Sequence, residues 1–480
     1  MTLTSALIDI GGSSVKVTIR DLTTNEIYSA ELSIEAVVEG EHIYVNPEPL
    51  YKSVVSAMNE CTAKFSEKVR VDRILVSTLR QGFCLINNSK EITPIFLNSD
   101  ISGILAKEEI TDYGSERIYS ETGHWFAPQL TLPKLINLFR KHPELNQEST
   151  KLLFIHDWLV WRFTREQITE MSLVSAGQMA NLKERKTHNQ LLQHFGFSEK
   201  LIPTPVTFGS EITKLNSNVL EDLSRAWDSA VLCVGGGDSH FLHFGASANM
   251  SGTLVVSAGS STPVSLLSEN LGKSTLSKPW KSTSFDPEKY LLEGNLGYPG
   301  TFYGWLKNNA SGSFSTPNLD MASILRAPRV FGSCRTWSEE TWESRPAFSI
   351  LGDFKNSTST DLELGLILDY AFALNNQILE FTADKFNIQQ IVITGGGGNS
   401  LIQQIVRNLT DIPVRLISQG TTVSNVFSLL EDGDYSEIDK GKDAELLDLE
   451  IIQLLQKVES DHAMLYSELE GTRRVLQNVR

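Results

Sequence analysis

The sequence predicts an α/β protein of two lobes, and three observations lead there. The chain has 480 residues, well past the roughly 250–300 at which a single hydrophobic core stops growing. A strand, a tight Gly-Ser turn and a returning strand occur near the start and again at mid-chain. Strand-then-helix units follow each occurrence, the pattern of mixed α/β lobes.

The elements fall in this order. Residues 6–10 and 15–20 are short aliphatic runs on either side of Gly11-Gly12-Ser13-Ser14, a predicted hairpin, and a further strand is expected over 26–32. Residues 232–237 then lead into 239–244 as strand and helix. The hairpin recurs as 253–257, Gly259-Ser260-Ser261 and 263–267, and 391–394 with 401–409 form another strand-helix unit. The change from one series to the next, between Gly245 and Gly252, predicts an amino-terminal lobe of residues 1–246 and a carboxy-terminal lobe of 247–480. An acidic loop over 431–443 precedes a helix with Leu447, Ile451, Leu454 and Val458 on one face. Asp461 interrupts that stripe, which favours a packed terminal helix over a coiled coil.

Composition narrows the function. With 41% hydrophobic and 21% charged residues the chain is an ordinary globular protein. Lys plus Arg total 42 against 58 Asp plus Glu, and a net charge of −16 repels nucleic acid and anionic lipid surfaces. Neither partner is expected. Cys61, Cys84, Cys233 and Cys334 form no C-x-x-C pair and are expected as reduced core thiols. No apolar run approaches the roughly 18 residues of a membrane span, and the first residues lack the features of a signal peptide. A cytoplasmic location is expected.

Gly-Ser turns between strands gather backbone N–H groups and hydroxyls at one point, and such concave clusters bind phosphate oxygens. Setting Gly11 on Gly259 places Asp9 on Ser257, so only the first turn carries a carboxylate. Either turn alone is an ordinary hairpin; the matched pair with Asp9 favours a phosphate role. Neither is a Rossmann loop, because the first lacks G-x-G-x-x-G spacing and lies in a hairpin. Gly272-Lys273-Ser274 mimics a Walker A ending, but Leu267 stands where the first glycine belongs. Gly235-Gly236-Gly237-Asp238 leads from a strand into a helix, where glycines let a ligand approach and the helix amino terminus faces anions. Asp238 serves equally as a helix N-cap on spacing alone. Gly395-Gly396-Gly397-Gly398-Asn399-Ser400 joins a strand to a helix, and residues without Cβ leave a flat slot for an aromatic base, or form a flexible loop.

These pieces in this order resemble the FGGY carbohydrate kinases over roughly residues 5 to 425. The resemblance implies two actin-like (ribonuclease H-like) ATPase lobes with a central cleft that closes to exclude water. It makes Gly11, Gly12, Ser13 and Ser14 the first phosphate motif and Gly259, Ser260 and Ser261 the second, following Ala258. Asp9 would position Mg²⁺ through water, Asp238 would be the catalytic base, and Gly395, Gly396, Gly397, Gly398 and Asn399 would hold the adenosine of ATP. Within the family the chain is most similar to autoinducer-2 kinases, through Leu79-Arg80-Gln81-Gly82, Asn98-Ser99-Asp100 and Asp157-Trp158-Leu159. That similarity puts Arg80, Gln81 and Asp100, facing Asp238, on the sugar side. Gln81 replaces a Glu of the family, Ser102 stands where many members have Arg, Glu170 and Asn181 replace two aspartates, and Ser424 replaces a glycine.

The expected activity is ATP-dependent phosphorylation of a hydroxyl on a small sugar or polyol, with the autoinducer-2 precursor or a pentulose as candidates. Homodimerisation stays open. The substitutions motivate an alternative, a non-catalytic sugar-responsive regulator with the kinase fold, against which Asp9 and Asp238 argue. A third alternative, another actin-fold ATPase such as a chaperone, lacks a recognisable peptide-binding domain.

Overall fold

Strand Ser5–Ile10 is buried along nearly its whole length, as a strand covered on both faces must be. It pairs antiparallel with Ser14–Asp21 and parallel with Arg73–Thr78. The sheet runs Glu211–Lys214, Val231–Cys233, Arg73–Thr78, Ser5–Ile10, Ser14–Asp21, Glu26–Ser33, with the two-residue strand Gly236–Gly237 also on Arg73–Thr78. Helix Pro47–Thr62 opens with proline at its first position, where the missing N–H costs nothing. It buries Leu50, Tyr51, Val54, Val55, Ala57, Met58 and Cys61, an i, i+3, i+4 stripe. Ile8, Val17, Val76, Trp158 and Trp227 join the same core. A separate core, with Phe83, Leu132, Leu135 and Phe154, lies where Thr131–Lys141 packs.

The computed structural model describes residues 4–21, 26–65, 69–247, 250–272, 278–309, 315–332, 334, 348–353, 355–431 and 441–477. Residues 432–440 of the acidic loop, and Lys273 and Ser274, lie outside the described residues.

The second hairpin, Thr253–Ser257 with Pro263–Ser268, is antiparallel, and Gln390–Thr394 lies parallel beside its first strand. Val414–Leu416 extends the sheet in parallel. Helix Ser359–Ala383 starts with a capping box, Thr358 and Asp361 each satisfying the other's backbone amide. Its buried face, with Leu364, Ile367, Leu368 and Ala371, meets Ile393, Ile405 and Leu455 in the core of this half. Leu455 and Val458 come from Leu449–Gln477, which packs as the terminal helix.

Contacts divide the chain into two compact units: Met1–Leu242 with Trp280–Leu291 and Val426–Tyr435, and His243–Pro279 with Leu292–Asn425 and Ser436–Arg480. The first division falls after Leu242, and two later segments group with the first unit. All four cysteines are buried. Among the described residues no helix is long and apolar enough to cross a membrane.

Candidate active site

In the first unit, sheet register decides which residues meet. Asp9 lies opposite Ser77, and Gly236 lies opposite Ser77 from the other side, both in parallel pairing. Three strands therefore end on one edge, where loops of parallel sheets gather ligands. Asp9 leaves that edge on one strand and Asp238 follows Gly236–Gly237 on another. Ser77 Oγ donates to Asp9 Oδ1 at 2.8 Å. Burial, and next the Asp238 carboxylate, push the Asp9 carboxyl up to about 6, against the Ser77 hydrogen bond and Lys16. The two carboxylates are thus close enough to sense each other's charge.

Asp238 is the first residue of helix Asp238–Ser247 and not the residue before it. Its Oδ1 accepts from the Ser239 amide at 2.7 Å and lies 3.7 Å from Arg80 Nε. Its side chain is 45% exposed, against 11% for Arg80, so the carboxylate is the accessible member of the pair. The glycines before it are packing devices, which differs from the expectation that they admit a ligand. A Cβ on Gly235 would meet the Val76 carbonyl at 1.8 Å, on Gly236 the Phe285 ring at 2.6 Å, and on Gly237 Arg80 Cγ at 2.8 Å. They bring the strand ends close enough for Asp9, Arg80 and Asp238 to converge.

A buried pair fixes that segment from behind. The Gly235 amide donates to His156 Nε2 at 3.0 Å, and His156 Nδ1 lies 2.8 Å from Asp157 Oδ1. Both side chains are fully buried. Accepting at Nε2 places the ring proton on Nδ1, facing the carboxylate.

Arg80 and Gln81 sit in the loop after Arg73–Thr78. Gln81 holds φ 63°, a left-handed conformation uncommon outside glycine. Its carbonyl accepts from Thr131 Oγ1 at 3.2 Å and Lys134 Nζ at 2.8 Å. Lys134 Nζ also donates to the Leu97 carbonyl at 2.9 Å, so one buried ammonium ties the Gln81 loop to the Asn98–Asp100 loop. Burial pushes this ammonium down to about 7, with Asp100 opposing. Asp100 itself is fully buried. Its Oδ2 accepts from the Ile43 amide and lies 3.2 Å from His42 Nδ1, while Oδ1 accepts from the Ser102 amide and hydroxyl. The carboxylate expected on the sugar thus organises its own loop, and Ser102, at the family's Arg position, is one of its ligands. Among the described residues, Gln81 Nε2 and Gln129 Oε1 are buried without a partner. Such amides await a ligand or a water, since a buried unpaired polar group is costly.

The first turn closes with the Gly11 amide on the Ser14 carbonyl at 2.9 Å, and Gly12 and Ser13 are exposed. Ser14 Oγ donates to Glu31 at 2.7 Å, so its hydroxyl already has an acceptor. Of the family substitutions, Glu170 caps helix Met171–Ala176 and burial pushes its carboxyl up to about 8, while Asn181 Oδ1 accepts from the Glu184 amide at 3.2 Å.

In the second unit the second turn and the glycine loop form one site. The Gly259 amide closes on Ser261 O at 3.2 Å, and the Gly397 amide donates to the Ala258 carbonyl at 2.8 Å. Gly395 has φ 98°, and a Cβ there would meet the Ala258 carbonyl at 2.6 Å. Gly300, in helix Pro299–Asn309, packs on Gly259 so closely that a Cβ would lie 2.1 Å from its carbonyl, and the Thr301 amide donates to the Ser260 carbonyl. Between these parts is a cavity of ≈ 220 Å³ lined by Ala258, Gly259, Tyr303, Glu363, Tyr370 and Ile402 among others, with Gly396, Gly397, Gly398 and Asn399 along its wall. Gly396 has nothing within 4 Å of its Cβ position. Asn399 Oδ1 accepts from the Leu401 and Ile402 amides as the N-cap of Ser400–Thr410.

Among the described residues no group of three or more His, Cys, Asp or Glu could hold a metal ion. Asp9 still fits Mg²⁺ held through water, since that ion keeps several waters and takes one or two carboxylates plus substrate phosphates. Lys134, His156 and Glu363 were not singled out from sequence. A lysine inside the apolar run Leu132-Pro133-Lys134-Leu135-Ile136 was a signal for the first, and a polar pair opening an apolar helix for the second. Glu363 carries no such mark.

The model of the FGGY family of carbohydrate kinases, N-terminal domain, matches residues 5–245. YoaC of Bacillus subtilis (strain 168) is 27% identical over 307 residues, 63% of this chain and 61% of that protein. L-fuculokinase of Escherichia coli (strain K12) is 27% identical over 309 residues, 61% of this chain and 62% of its own. The matches thus span less than two thirds of these relatives. Gluconate kinase from Lactobacillus acidophilus superimposes with a TM-score of 0.82 at 16% identity, covering 100% of this chain and 99% of its own. Plasmodium falciparum glycerol kinase with ADP gives 0.78 at 17% identity over 96% and 98%. With the two-lobe actin-like fold in common and half of its length matched by the family model, the chain belongs to the FGGY family of carbohydrate kinases.

Proposed function

We propose that this protein transfers the γ-phosphoryl group of ATP to a hydroxyl of a small sugar or polyol. The observation that carries the reading is the convergence of Asp9, Arg80 and Asp238 at the ends of adjacent parallel strands, in a member of a carbohydrate kinase family. Asp238, accessible and held by Arg80, takes the proton of the attacking hydroxyl. The sugar oxygen then forms the new P–O bond as the bond to ADP breaks. Such transfer needs positioning and charge stabilisation more than covalent chemistry. Gly11, Gly12, Ser13 and Ser14 in one unit and Gly259, Ser260 and Ser261 in the other offer phosphate-binding turns. The cavity beside Gly395, Gly396, Gly397, Gly398 and Asn399 takes the adenosine. When bound, Mg²⁺ supplies charge neutralisation at the phosphates, with Asp9 anchoring its waters.

On the sugar side the reading uses Arg80 and Gln81, with Asp100 acting through the loop it braces. Buried polar groups left unpaired by the wrong ligand discriminate strongly, which favours ligands of five or six carbons over oligosaccharides. The autoinducer-2 precursor remains the first candidate, by the motifs at Arg80, Asp100 and Asp157. L-fuculose and xylulose join it, because relatives and structural neighbours carry the names L-fuculokinase and xylulose kinase. A cytoplasmic location goes with this chemistry. A coupled ADP-release assay over these sugars, ribulose, glycerol and erythritol tests the reading. Sugar-dependent ADP release is expected; MgATP binding with no turnover on any of them would favour the non-catalytic regulator instead.

A further inference from the structure

We infer that Glu363 reads the edge of the nucleobase and selects a ring bearing an exocyclic amine, adenine, over one bearing a carbonyl at the same position. The inference rests on the nucleotide reading of the second-unit cavity and adds a specificity residue to it. Glu363, Leu366, Ile367 and Tyr370 all line that cavity and stand at i, i+3, i+4 and i+7 on helix Ser359–Ala383, one face of the helix. Leu366, Ile367 and Ile402 give it apolar surface, and the glycine loop gives it a wall without side chains. At ≈ 220 Å³ it is smaller than the roughly 300–1,000 Å³ that encloses a drug-sized ligand. It suits one end of a nucleotide, with the second phosphate turn at Gly259 on its border.

The polar inventory of this cavity decides the ligand's edge. Glu363 Oε1 accepts from the Tyr303 hydroxyl at 2.8 Å. Glu363 Oε2 is buried and has no hydrogen-bond partner among the described residues. Asn399 Oδ1 is committed to capping its own helix. A carboxylate oxygen accepts and does not donate, so what the cavity lacks is an N–H donor. The amine of adenine supplies one, and a carbonyl there sets acceptor against acceptor. A site built around a hydrogen bond rejects the analogue that cannot make it.

Titration calorimetry with MgADP and MgIDP tests this, because hypoxanthine replaces the exocyclic amine by a carbonyl and carries its edge N–H on N1 instead, away from the position Glu363 is proposed to read. The wild type should bind ADP roughly 10- to 100-fold more tightly than IDP. Glu363→Gln, whose amide can donate to a carbonyl or accept from an amine, should bring the two within about threefold. Tyr303→Phe leaves the carboxylate in place and should keep the preference for ADP. A wild-type ratio near one overturns the inference whether or not the variants fold, and so does an unchanged ratio in Glu363→Gln. Absence of any ADP binding to the wild type would instead defeat the nucleotide reading of the cavity itself.

Discussion

In each unit a hairpin is joined on its first strand by a parallel strand. Ser5–Ile10 with Ser14–Asp21 takes Arg73–Thr78; Thr253–Ser257 with Pro263–Ser268 takes Gln390–Thr394. Asp9 pairs with Ser77 in the first, and Ser257 with Thr394 in the second. Three residues beyond Ser77 is Arg80, whose stem fills the space over Gly237; three beyond Thr394 is Gly397, which fills nothing and donates its amide to Ala258. The same backbone plan thus presents side chains in one unit and a cavity in the other. Where the loop carries Arg80 and Gln81 it presents a charge and an amide, the side chains the proposed function assigns to the sugar; where it carries glycines it borders the cavity that the same proposal assigns to the adenosine. The chemistry divides with the side chains, not with the fold.

Removing the proposed base is the largest break in this division. Asp238→Asn keeps shape and the contact to Ser239, and turnover should fall roughly 10²–10⁴-fold while MgADP affinity stays unchanged. Steady-state rates beside calorimetry decide it: near-normal turnover would leave Asp238 a helix-start residue only.

Lys134 sharpens the polyol side. Lys134→Met removes the shared donor of the Gln81 and Leu97 carbonyls, and the KM for sugar should rise roughly tenfold with the KM for ATP unmoved, since a buried charged hydrogen bond is worth about 1.5–3 kcal/mol. Equal rises in both constants would mean general loosening. The pH dependence has a definite sign. The unfolded chain holds this proton up to about the ordinary 10.5, whereas the folded chain releases it near 7. The unfolded state therefore binds more protons between those values, and wild-type stability gains with rising pH. Denaturant unfolding at pH 6.5 and pH 9 should show the difference, wild type minus Lys134→Met, shifting toward the wild type. A pH-independent difference would contradict it.

The glycine loop gives smaller and separable effects. Gly395→Ala puts a Cβ against the Ala258 carbonyl at positive φ and should destabilise by roughly 1–3 kcal/mol in thermal unfolding. Gly396→Ala meets no neighbour, so stability should stay within about 0.5 kcal/mol while MgADP binding weakens. If both variants lose stability alike, the loop is a packing element and its open wall has no ligand role.

Much of this was legible in the sequence because it depends on local pattern. The hairpins, the strand-helix units and the Asp9 to Ser257 asymmetry follow from alternation and turn residues. The meeting of Asp9 with Asp238 does not, since it depends on parallel register between strands 229 residues apart in the case of Asp9 and Asp238 themselves. Lys134 and His156 were hidden for a related reason: burial of a charged or polar group is set by tertiary neighbours that periodicity does not name. The run Gly235–Gly237 reads in sequence as a ligand approach, whereas close contact with Val76, Phe285 and Arg80 accounts for it. Asp100 was visible as a carboxylate in a motif, but its three partner residues, His42, Ile43 and Ser102, were not. The return of Trp280–Leu291 and Val426–Tyr435 to the first unit has no mark in composition.

The divided chemistry of the two hairpins stands or falls on the Mg²⁺ requirement of Asp9→Ala beside Ser257→Ala, in initial-rate assays titrated with the metal. Groups that orient a metal's ligands typically contribute 10- to 100-fold in apparent affinity. Asp9→Ala should raise the half-activating Mg²⁺ concentration by roughly that factor, and Ser257→Ala should leave it essentially where it is in the wild type. Equal shifts in the two variants, or none in Asp9→Ala, would contradict the assignment of different tasks to the two turns.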